Sequence, residues 1–326
     1  MNKQGNDLVR ILCLAVLFPV LLCLLVLLNG MERAAPIPDM DQQTVPSTDA
    51  TVPAEVWMLS VLYQGESRQI DLETYILGVV LAEMPSSFHL EALKAQAIAT
   101  RTYTLKHCPE QKPHGENVIC SESTCCQAYI DPEDYICNGG NWESVEKVRY
   151  AVSSTAAMAL VYNDKLIDAT YFSCSGGITE DAVQVWGQNV PYLQSVPSPG
   201  EEDAPVYEDS KSFTAEEFQK ILGVVLYEPV ECWFGNVVHT ESGSVQTMCI
   251  GGVDYRGTTL RQLLGLRSTI FSVSVSKEEI LFHTRGFGHR VGMSQYGANA
   301  MAVEGKTCAE ILMHYYTGAV IVQFVA

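Results

Sequence analysis

The sequence predicts an α+β fold of mixed helices and antiparallel strands, preceded by an N-terminal transmembrane helix. Three observations support this prediction. Helical and strand-like segments alternate without regular βαβ spacing. A long uncharged segment lies near the N-terminus and is followed by a proline-rich linker. Hydrophobic residues make up 47% of the 326 residues and charged residues 18%, which excludes a disordered chain.

The charge balance is strongly acidic. Lys and Arg total 20 against 38 Asp and Glu, so the formal net charge is −18. A surface of this sign repels phosphate backbones, and we therefore expect no nucleic-acid partner.

The N-terminal segment 11–28 reads ILCLAVLFPVLLCLLVLL and carries no charge. Its length is about that needed to cross a bilayer. Lys3 and Arg10 precede it, and the residues after it turn acidic. The positive-inside rule therefore places residues 1–10 in the cytoplasm and the rest of the chain outside. A cleaved signal peptide is the alternative, but no small-x-small cleavage site follows, which favours an uncleaved anchor.

A linker and an extracytoplasmic domain follow the anchor. Residues 32–54 contain four prolines, no aromatic residue and no periodicity, as is typical of a linker. The working domain is predicted to span residues 56–326.

The first elements of that domain are predicted from local signals. Val56–Tyr63 has the composition of a strand. Asp71 is a suitable N-cap for a helix over Leu72–Met84, which must end before Pro85. His89–Leu105 is predicted to be a second helix, and its alanines permit close approach to a neighbour.

Later elements are less regular. The segment 107–137 is rich in cysteine and is predicted to be irregular. The further predictions are a short helix near Trp142–Val152, a hairpin around Asn163 and Asp164, helices opened by capping boxes at Thr214/Glu217 and Thr307/Glu310, and strands near Cys232–Cys249 and Phe271–Val275.

Glu83 is the first candidate for chemistry. Leu72, Ile76 and Val79 form an apolar stripe along their helix, and Glu83 is its next member. A carboxyl group on a core-facing stripe at a helix C-terminus has a raised pKa, which suits a general acid. The alternatives are a frayed last turn or a salt bridge with Arg101.

Lys94 and Arg101 lie on one face of the next helix, because seven residues make nearly two turns. Two cations on one stripe suit binding of a sugar or its N-acyl carbonyl. A solvated helix face is the alternative.

Two glycine-rich segments, Thr284–Gly297 and Tyr171–Gly177, combine glycines with hydroxyl and amide side chains. Neither segment contains a phosphate-binding fingerprint or a Gly-x-Ser-x-Gly nucleophile motif. Such a composition is typical of a binding rim that the ligand approaches closely. The binding residues predicted on this rim are Ser173, Ser175, His289, Ser294, Gln295 and Tyr296.

Three blocks resemble the stage II sporulation protein D family, also described as the SpoIID/LytB domain. They are Glu83–Leu105, Tyr171–Gly177 and Gly288–Gly318. The resemblance covers essentially everything after the linker, in order. One departure is Arg290, since the family pattern usually has Gly there. Replacing Arg290 by Gly is therefore predicted to be tolerated.

The resemblance implies a membrane-anchored lytic transglycosylase that cuts peptidoglycan between N-acetylmuramic acid and N-acetylglucosamine during engulfment of the forespore. It implies Glu83 as the catalytic acid, and Lys94, Arg101, Tyr171 and Gln295 as substrate contacts. Ordinary glycosidases need two carboxylates, whereas this reaction needs one, because the C6 hydroxyl of the sugar closes a 1,6-anhydro ring.

The rival function, from a sister branch of the family, is a non-catalytic glycan-binding amidase enhancer. The resemblance also implies two partners besides peptidoglycan strands: the amidase named stage II sporulation protein P, and the membrane protein named stage II sporulation protein M. It implies a place in the mother-cell membrane, facing the septum.

Eleven cysteines include two in the predicted anchor, which leaves nine outside. His114, Cys120, Cys125 and Cys126 are a normal ligand set for structural zinc, and some family members hold zinc in this insertion. Disulfides are the alternative, since the compartment permits them. Cys232 and Cys249 are predicted to form a separate bridge, and Cys174 and Cys308 to be buried free thiols.

Overall fold

The computed structural model describes residues 57–109, 111–112, 114–116, 118–277 and 279–324. Within these residues the chain forms nine α-helices and one short 3₁₀ helix at Val230–Cys232. The α-helices are α1 (Leu72–Glu83), α2 (Leu90–His107), α3 (Pro132–Cys137), α4 (Trp142–Ser153), α5 (Ala182–Trp186), α6 (Ala215–Leu222), α7 (Gly257–Leu264), α8 (Gln295–Val303) and α9 (Cys308–Tyr315).

The strands are short. They are β1 (Met58–Tyr63), β2 (Glu66–Asp71), β3 (Gln111–Lys112), β4 (Gly115–Glu116), β5 (Val118–Cys120), β6 (Met158–Tyr162), β7 (Lys165–Leu166), β8 (Tyr171–Phe172), β9 (Glu208–Phe213), β10 (Phe234–His239), β11 (Val245–Ile250), β12 (Val253–Arg256), β13 (Ile270–Val275), β14 (Ile280–Arg285), β15 (Met293–Ser294) and β16 (Val320–Gln323).

Strand pairing is mostly antiparallel, in the orders β2-β1, β13-β14-β9, β10-β11-β12, β16-β6-β7 and β3-β4. Two pairs are parallel: β5 joins β1, and β15 joins β8. The predicted mixture of helices and antiparallel strands is therefore confirmed.

The predicted anchor (11–28) and linker (32–54) lie outside the described residues. Among the residues that are described, no helix is both long enough and apolar enough to cross a membrane.

The cysteine-rich segment is more ordered than its sequence suggests. Its strand β5 pairs with β1 over Ser60–Val118, Val61–Ile119 and Leu62–Cys120. This pairing fixes the middle of the segment on the sheet formed by β1 and β2. The segment is therefore held in a defined place beside α1.

Local capping explains where the helices begin. The Asp71 side chain accepts a hydrogen bond from the Thr74 backbone N–H at 3.0 Å, which satisfies a free donor of α1. The predicted capping boxes at the starts of α6 and α9 are both confirmed. The predicted hairpin is confirmed too: Asn163 and Asp164 have φ values of 49° and 60° between β6 and β7.

Three apolar clusters form the core. The first joins α1, α2 and α4 to β1, and the second joins α2, α8 and α9 to β6. The third lies within residues 213–282, among the strands β9 to β14 and the helices α6 and α7. Helix α2 contributes to the first two clusters. Leu93 and Ala97 pack into the first, and Ala92, Ala95, Ile98 and Ala99 into the second.

Arg101 of α2 is fully buried and joins α1 to α2 and α4. Its Nε and Nη2 donate to the two carboxylate oxygens of Glu73 at 2.9 and 2.6 Å. The remaining donors reach the carbonyl oxygens of Met158 and Val152 at 3.2 and 3.3 Å. The sequence prediction that Arg101 contacts substrate is wrong, because every nitrogen of its guanidinium is used inside the protein. The alternative pairing with Glu83 is also absent.

We expect Arg101→Met to lower the free energy of unfolding by about 2–3 kcal/mol, because the buried carbonyls lose their donors while Glu73 can still reach water. The matched control is Arg149→Met, whose exposed pair with Glu146 on α4 contributes less than about 0.5 kcal/mol. Urea denaturation measures both. Equal effects of the two changes would contradict the structural role of Arg101.

Candidate active site

A groove of about 620 Å³ opens at the C-terminal end of α1. Its walls come from the turn after β5, from β8, from the loop before β15 and from the start of α8. The lining residues are Glu83, Tyr103, Ser123, Thr124, Cys125, Cys126, Gln127, Thr170, Tyr171, Phe172, Ser173, Trp186, Arg261, Phe287, Gly288, His289 and Gln295. We call this set the groove.

A second depression of about 480 Å³ meets the groove. Glu83, Ser173 and Gln295 line both cavities, and Tyr296 lines only the second. Glu83 therefore lies at the junction, with open space on both sides of it. This placement suits a polymer that runs past the carboxyl group.

Glu83 is the last residue of α1 because Pro85 forces Met84 into an extended conformation. Its Oε1 accepts a hydrogen bond of 2.8 Å from the backbone N–H of Ala128. Burial raises the pKa of this carboxyl group, and the Ala128 N–H opposes the shift only in part. Glu83 can therefore hold a proton at a higher pH than an exposed glutamate.

Tyr171 lies beside Glu83 and is held by Gln127. The Tyr171 hydroxyl donates to Gln127 Oε1 at 2.9 Å, and Gln127 Nε2 donates to Thr104 Oγ1 at 2.8 Å. Burial, and then the nearby Glu83 carboxylate, keep the pKa of Tyr171 well above its ordinary value. Sequence reasoning missed Gln127, since a single glutamine after two cysteines gives no signal.

His289 forms part of the opposite wall. Its Nδ1 accepts the backbone N–H of Val291 at 3.1 Å, and its ring lies 5.5 Å from the rings of Phe172 and Trp186. Burial, followed by the charge of Arg261, lowers the pKa of His289 to about 4. The imidazole is therefore neutral at physiological pH, and its N–H has the backbone of Tyr171 as a hydrogen-bond partner, which opposes the shift in part.

Gln295 begins α8 and is buried, yet its Nε2 has no hydrogen-bond partner within the described chain. A buried amide donor without a partner costs free energy. Because Gln295 lines both cavities, that donor is available to an oxygen of a bound ligand.

Ser175 and Ser294, also predicted as binding residues, do not line the groove. Both are fully buried, and both hydroxyls donate to the carboxylate of Glu201. Glu201 also accepts the backbone N–H groups of residues 175–177 at 3.0–3.2 Å. These serines are structural. The prediction that they bind substrate is wrong because the buried carboxylate uses their hydroxyls.

The sequence prediction that Lys94 contacts substrate is also wrong. Its ammonium group pairs with Glu91 at 2.8 Å and lies 6.0 Å from the ring of Tyr150. It lines neither the groove nor the second depression. The α2 face that carries Lys94 packs toward α4 and α9, so this cation cannot contact a ligand in the groove.

A thiol and imidazole cluster borders the groove. The ligand atoms of His114, Cys120, Cys125 and Cys126 all lie within 4.8 Å of one another. His114 Nε2 is 3.6 and 3.5 Å from the sulfurs of Cys125 and Cys126, which are 4.0 Å apart. A tetrahedral zinc ion with Zn–S bonds of about 2.3 Å would set two sulfurs about 3.8 Å apart. A disulfide needs about 2.05 Å, so the arrangement fits zinc and not a Cys125–Cys126 bond.

The remaining cysteines were predicted to include one bridge. Cys232 and Cys249 are separate thiols, and that prediction is wrong. Cys174 is a buried free thiol, as predicted, and Cys308 is free but only half-buried.

Comparison with known proteins agrees with the resemblance. Residues 64–162 match the family described as Stage II sporulation protein. The stage II sporulation protein D of Bacillus subtilis (strain 168) is 36% identical, over 97% of this chain and 95% of that protein. The one from Bacillus amyloliquefaciens is 38% identical, over 77% of this chain and 74% of that protein. This chain belongs to the stage II sporulation protein D family. A protein named amidase enhancer, from Bacillus subtilis (strain 168), is 27% identical over 76% of this chain and 40% of that protein.

Arg290 stands at the position where the resemblance predicted glycine, and its backbone has a conformation that glycine favours. Its φ of 68° is the left-handed conformation that favours glycine. The side chain is nevertheless fully buried. It donates to the carbonyl oxygens of Ser175 at 2.9 Å and Ile178 at 2.7 Å, and pairs with buried Glu180 at 3.5 Å.

These contacts join the glycine-rich rim to the turn between β10 and β11, because Arg290 also donates to the Ser242 carbonyl at 3.0 Å and to the Ser244 hydroxyl. The sequence prediction that Arg290→Gly is tolerated is therefore unsound. Glycine suits the backbone, but it leaves buried Glu180 without its cation and removes the donor to the carbonyl groups of Ser175 and Ile178.

We expect Arg290→Gly to lower the free energy of unfolding by about 2–4 kcal/mol, because the loss of a buried ion pair exceeds the relief of the positive φ. Chemical denaturation measures this change. The matched control is Asn163→Gly, a second positive-φ position that is exposed in a turn, where stability should change by less than about 1 kcal/mol. An unchanged stability of Arg290→Gly would contradict this account.

Proposed function

We propose that this protein is a peptidoglycan lytic transglycosylase that uses Glu83 as its single acid and base. One observation carries the proposal. Among the described residues that line the groove and the second depression, Glu83 is the only carboxylate. Ordinary glycosidases flank the scissile bond with two carboxyl groups about 5–9.5 Å apart. A reaction that needs only one such group fits this site.

The reaction begins with protonated Glu83, whose raised pKa keeps the proton available. The carboxyl group gives this proton to the bridging oxygen, and the bond between that oxygen and C1 of N-acetylmuramic acid breaks. N-acetylglucosamine leaves with a free C4 hydroxyl group, and an oxocarbenium-like state forms at C1. The Glu83 carboxylate then takes the proton of the C6 hydroxyl as O6 bonds to C1. No water is consumed, and Glu83 ends protonated again.

The walls suit a neutral, hydroxyl-rich sugar chain. Gln295 offers a free amide donor and Ser173 a hydroxyl group, and the neutral ring of His289 lies in the same wall. The Tyr171 hydroxyl lies beside the acid. We assign substrate contacts to Glu83, Tyr171, Ser173, His289 and Gln295, with Tyr296 in the second depression. Space on both sides of Glu83 accommodates sugars on either side of the cleaved bond.

The biological setting is a proposal from the sequence and the family. Segment 11–28 anchors the chain in the mother-cell membrane with residues 1–10 in the cytoplasm. The catalytic domain then acts on septal peptidoglycan during sporulation. Stage II sporulation proteins P and M are its proposed partners.

A non-catalytic amidase enhancer is the second candidate, because one relative carries that name. Such a protein would bind glycan in the same groove without cleaving it. The position of Glu83 favours catalysis, since a pure binding module has no use for a buried carboxyl group with a raised pKa at the junction of two cavities.

We also propose that His114, Cys120, Cys125 and Cys126 hold one structural zinc ion. The ligand set is complete and leaves no open position for water, so the ion would stabilise the segment without taking part in the reaction. Cys126 is followed by Gln127 and Ala128, which contact Tyr171 and Glu83. The segment that the ion would stabilise therefore also forms one wall of the groove.

We expect Glu83→Gln to lower turnover of purified glycan strands by at least about 100-fold, because glutamine cannot donate and recover a proton. Binding of the strands should persist. Wild-type digests should contain 1,6-anhydromuramic ends, detected by mass spectrometry. The matched control, Glu146→Gln on the exposed face of α4, should leave turnover unchanged.

Two outcomes would contradict this mechanism. Hydrated reducing ends in the wild-type digest would show that water is the nucleophile. Unchanged turnover in Glu83→Gln would show that another group is the acid. If glycan binds but wild-type protein never cleaves it, the enhancer function is the correct one.

For the metal, we expect elemental analysis of untagged protein to find about one zinc per chain. Cys125→Ser should abolish this stoichiometry and expose residues 107–137 to protease, because the segment depends on the ion for its folding. Cys137→Ser is the matched control, since Cys137 is exposed and outside the cluster. Thiol titration that finds the four-residue cluster already oxidised, with no zinc, would overturn the proposal.

A further inference from the structure

Arg261 lies in the last turn of α7 and lines the groove on the same side as Trp186 and His289. Among the described groove residues, only Glu83 and Arg261 are of types that carry a formal charge at neutral pH, since His289 is neutral there. The groove is therefore lined by one acidic side chain, Glu83, and one cationic side chain, Arg261.

The cation has no counter-ion in the described part of the chain. Its Nε donates to the Arg267 carbonyl oxygen at 3.2 Å, which fixes the direction of the side chain. Burial lowers the pKa of Arg261, as expected for a guanidinium withdrawn from water. A half-buried charge without a partner costs free energy.

The helix dipole does not account for this arrangement. A cation in the last turn of a helix stabilises the helix dipole, but an exposed side chain at the same position would do so without desolvation. The neighbouring Arg267 provides a contrast. It pairs with Asp209 at 3.3 Å and lies over the ring of Phe287 at 5.3 Å, so its charge is balanced. Arg261 has no such acid.

We propose that Arg261 binds a carboxylate carried by the glycan, at the substituent on O3 of a muramic acid residue. This inference rests on the proposed function, because it assumes that a peptidoglycan strand occupies the groove. A guanidinium group recognises a carboxylate through two parallel hydrogen bonds, and a low-water setting strengthens them. The unpaired terminal nitrogens of Arg261 are suited to this contact.

The surroundings support a sugar acid over a small anion. Trp186 and Phe287 are 43% and 39% exposed, and both line the groove with Arg261. Exposed aromatic faces in a groove provide apolar surface against which the carbon face of a pyranose ring can pack. A carboxylate held at Arg261 would thus belong to a ring that contacts these side chains.

The carboxylate has two possible sources. Peptide-free muramic acid carries a lactyl carboxylate, whereas in peptide-bearing strands this group is an amide and the carboxylates belong to the stem peptide. The two sources predict opposite preferences. A lactyl contact makes Arg261 a determinant of preference for peptide-free strands, and a peptide contact makes it a determinant of preference for intact strands.

The test measures strand binding to the full-length protein with Glu83→Gln, so that no substrate is consumed. Three strands of equal length are compared: peptide-free, peptide-free with the lactyl carboxylate converted to its methyl amide, and peptide-bearing. Arg261→Gln removes the charge. Arg261→Lys keeps the charge but cannot make the two parallel hydrogen bonds of a guanidinium group. Arg256→Gln is the control, an exposed arginine just before the same helix and outside the groove. Thermal unfolding verifies that each variant is folded.

With a lactyl contact, Arg261→Gln weakens binding of peptide-free strands about tenfold, equivalent to about 1.4 kcal/mol. It then has no effect on the methyl amide, and Arg261→Lys gives an intermediate loss. A loss confined to peptide-bearing strands identifies the stem peptide as the source.

Equal losses on all three strands, or none, overturn the inference while glycan binding by the groove stands. If the parent protein binds none of the strands, the proposed function itself fails. The two failures are therefore distinguishable.

Discussion

The buried carboxylate of Glu201 holds the two glycine-rich segments together, and the groove depends on this contact. Its oxygens accept the N–H groups of residues 175–177 and the hydroxyls of Ser175, Ser198 and Ser294. The donors offset the cost of burying the charge. Gly176 and Gly177, with φ of 77° and 104°, let successive N–H groups converge on one acceptor. Ser173 and Gln295 are thereby fixed beside each other next to Glu83.

Local signals predicted much of the fold, because they act over a few residues. The Asp71 cap, the capping boxes and the positive-φ hairpin at Asn163 all formed as predicted. The apolar stripe of α1 also placed Glu83 at a helix end against the core. Sequence reasoning did not identify the partner of Arg101 on α2, because the pattern of a helix face does not specify which neighbouring helix packs against it. Glu73 satisfies that arginine from 28 residues earlier.

The site residues that sequence reasoning missed or misassigned depend on long-range contacts. Glu201 lies in an acidic, proline-rich segment that has the composition of a surface loop, and Ser294 reaches it across 93 residues. The family pattern at Arg290 correctly indicated a glycine-like backbone, yet it gave no information about a side chain that contacts Glu180 and the β10–β11 turn. Arg261 gave no signal either, because only the tertiary fold shows that its charge lacks a counter-ion.

The burial that makes Glu83 a suitable acid also limits stability. Because its pKa is raised in the fold, the native state binds the proton more tightly than the unfolded chain does. The resulting stabilisation is complete below the ordinary carboxyl pKa, and it is lost as pH rises through the raised value. When Glu83 is ionised at neutral pH, the hydrogen bond that the described residues give its carboxylate is the one from the Ala128 backbone N–H. The Arg101–Glu73 ion pair fixes the first turn of α1 against α2, at the end of the helix opposite Glu83. Helix α1 thus carries a well-paired carboxylate at its start, Glu73, and a poorly paired carboxyl group at its end, Glu83, in the groove.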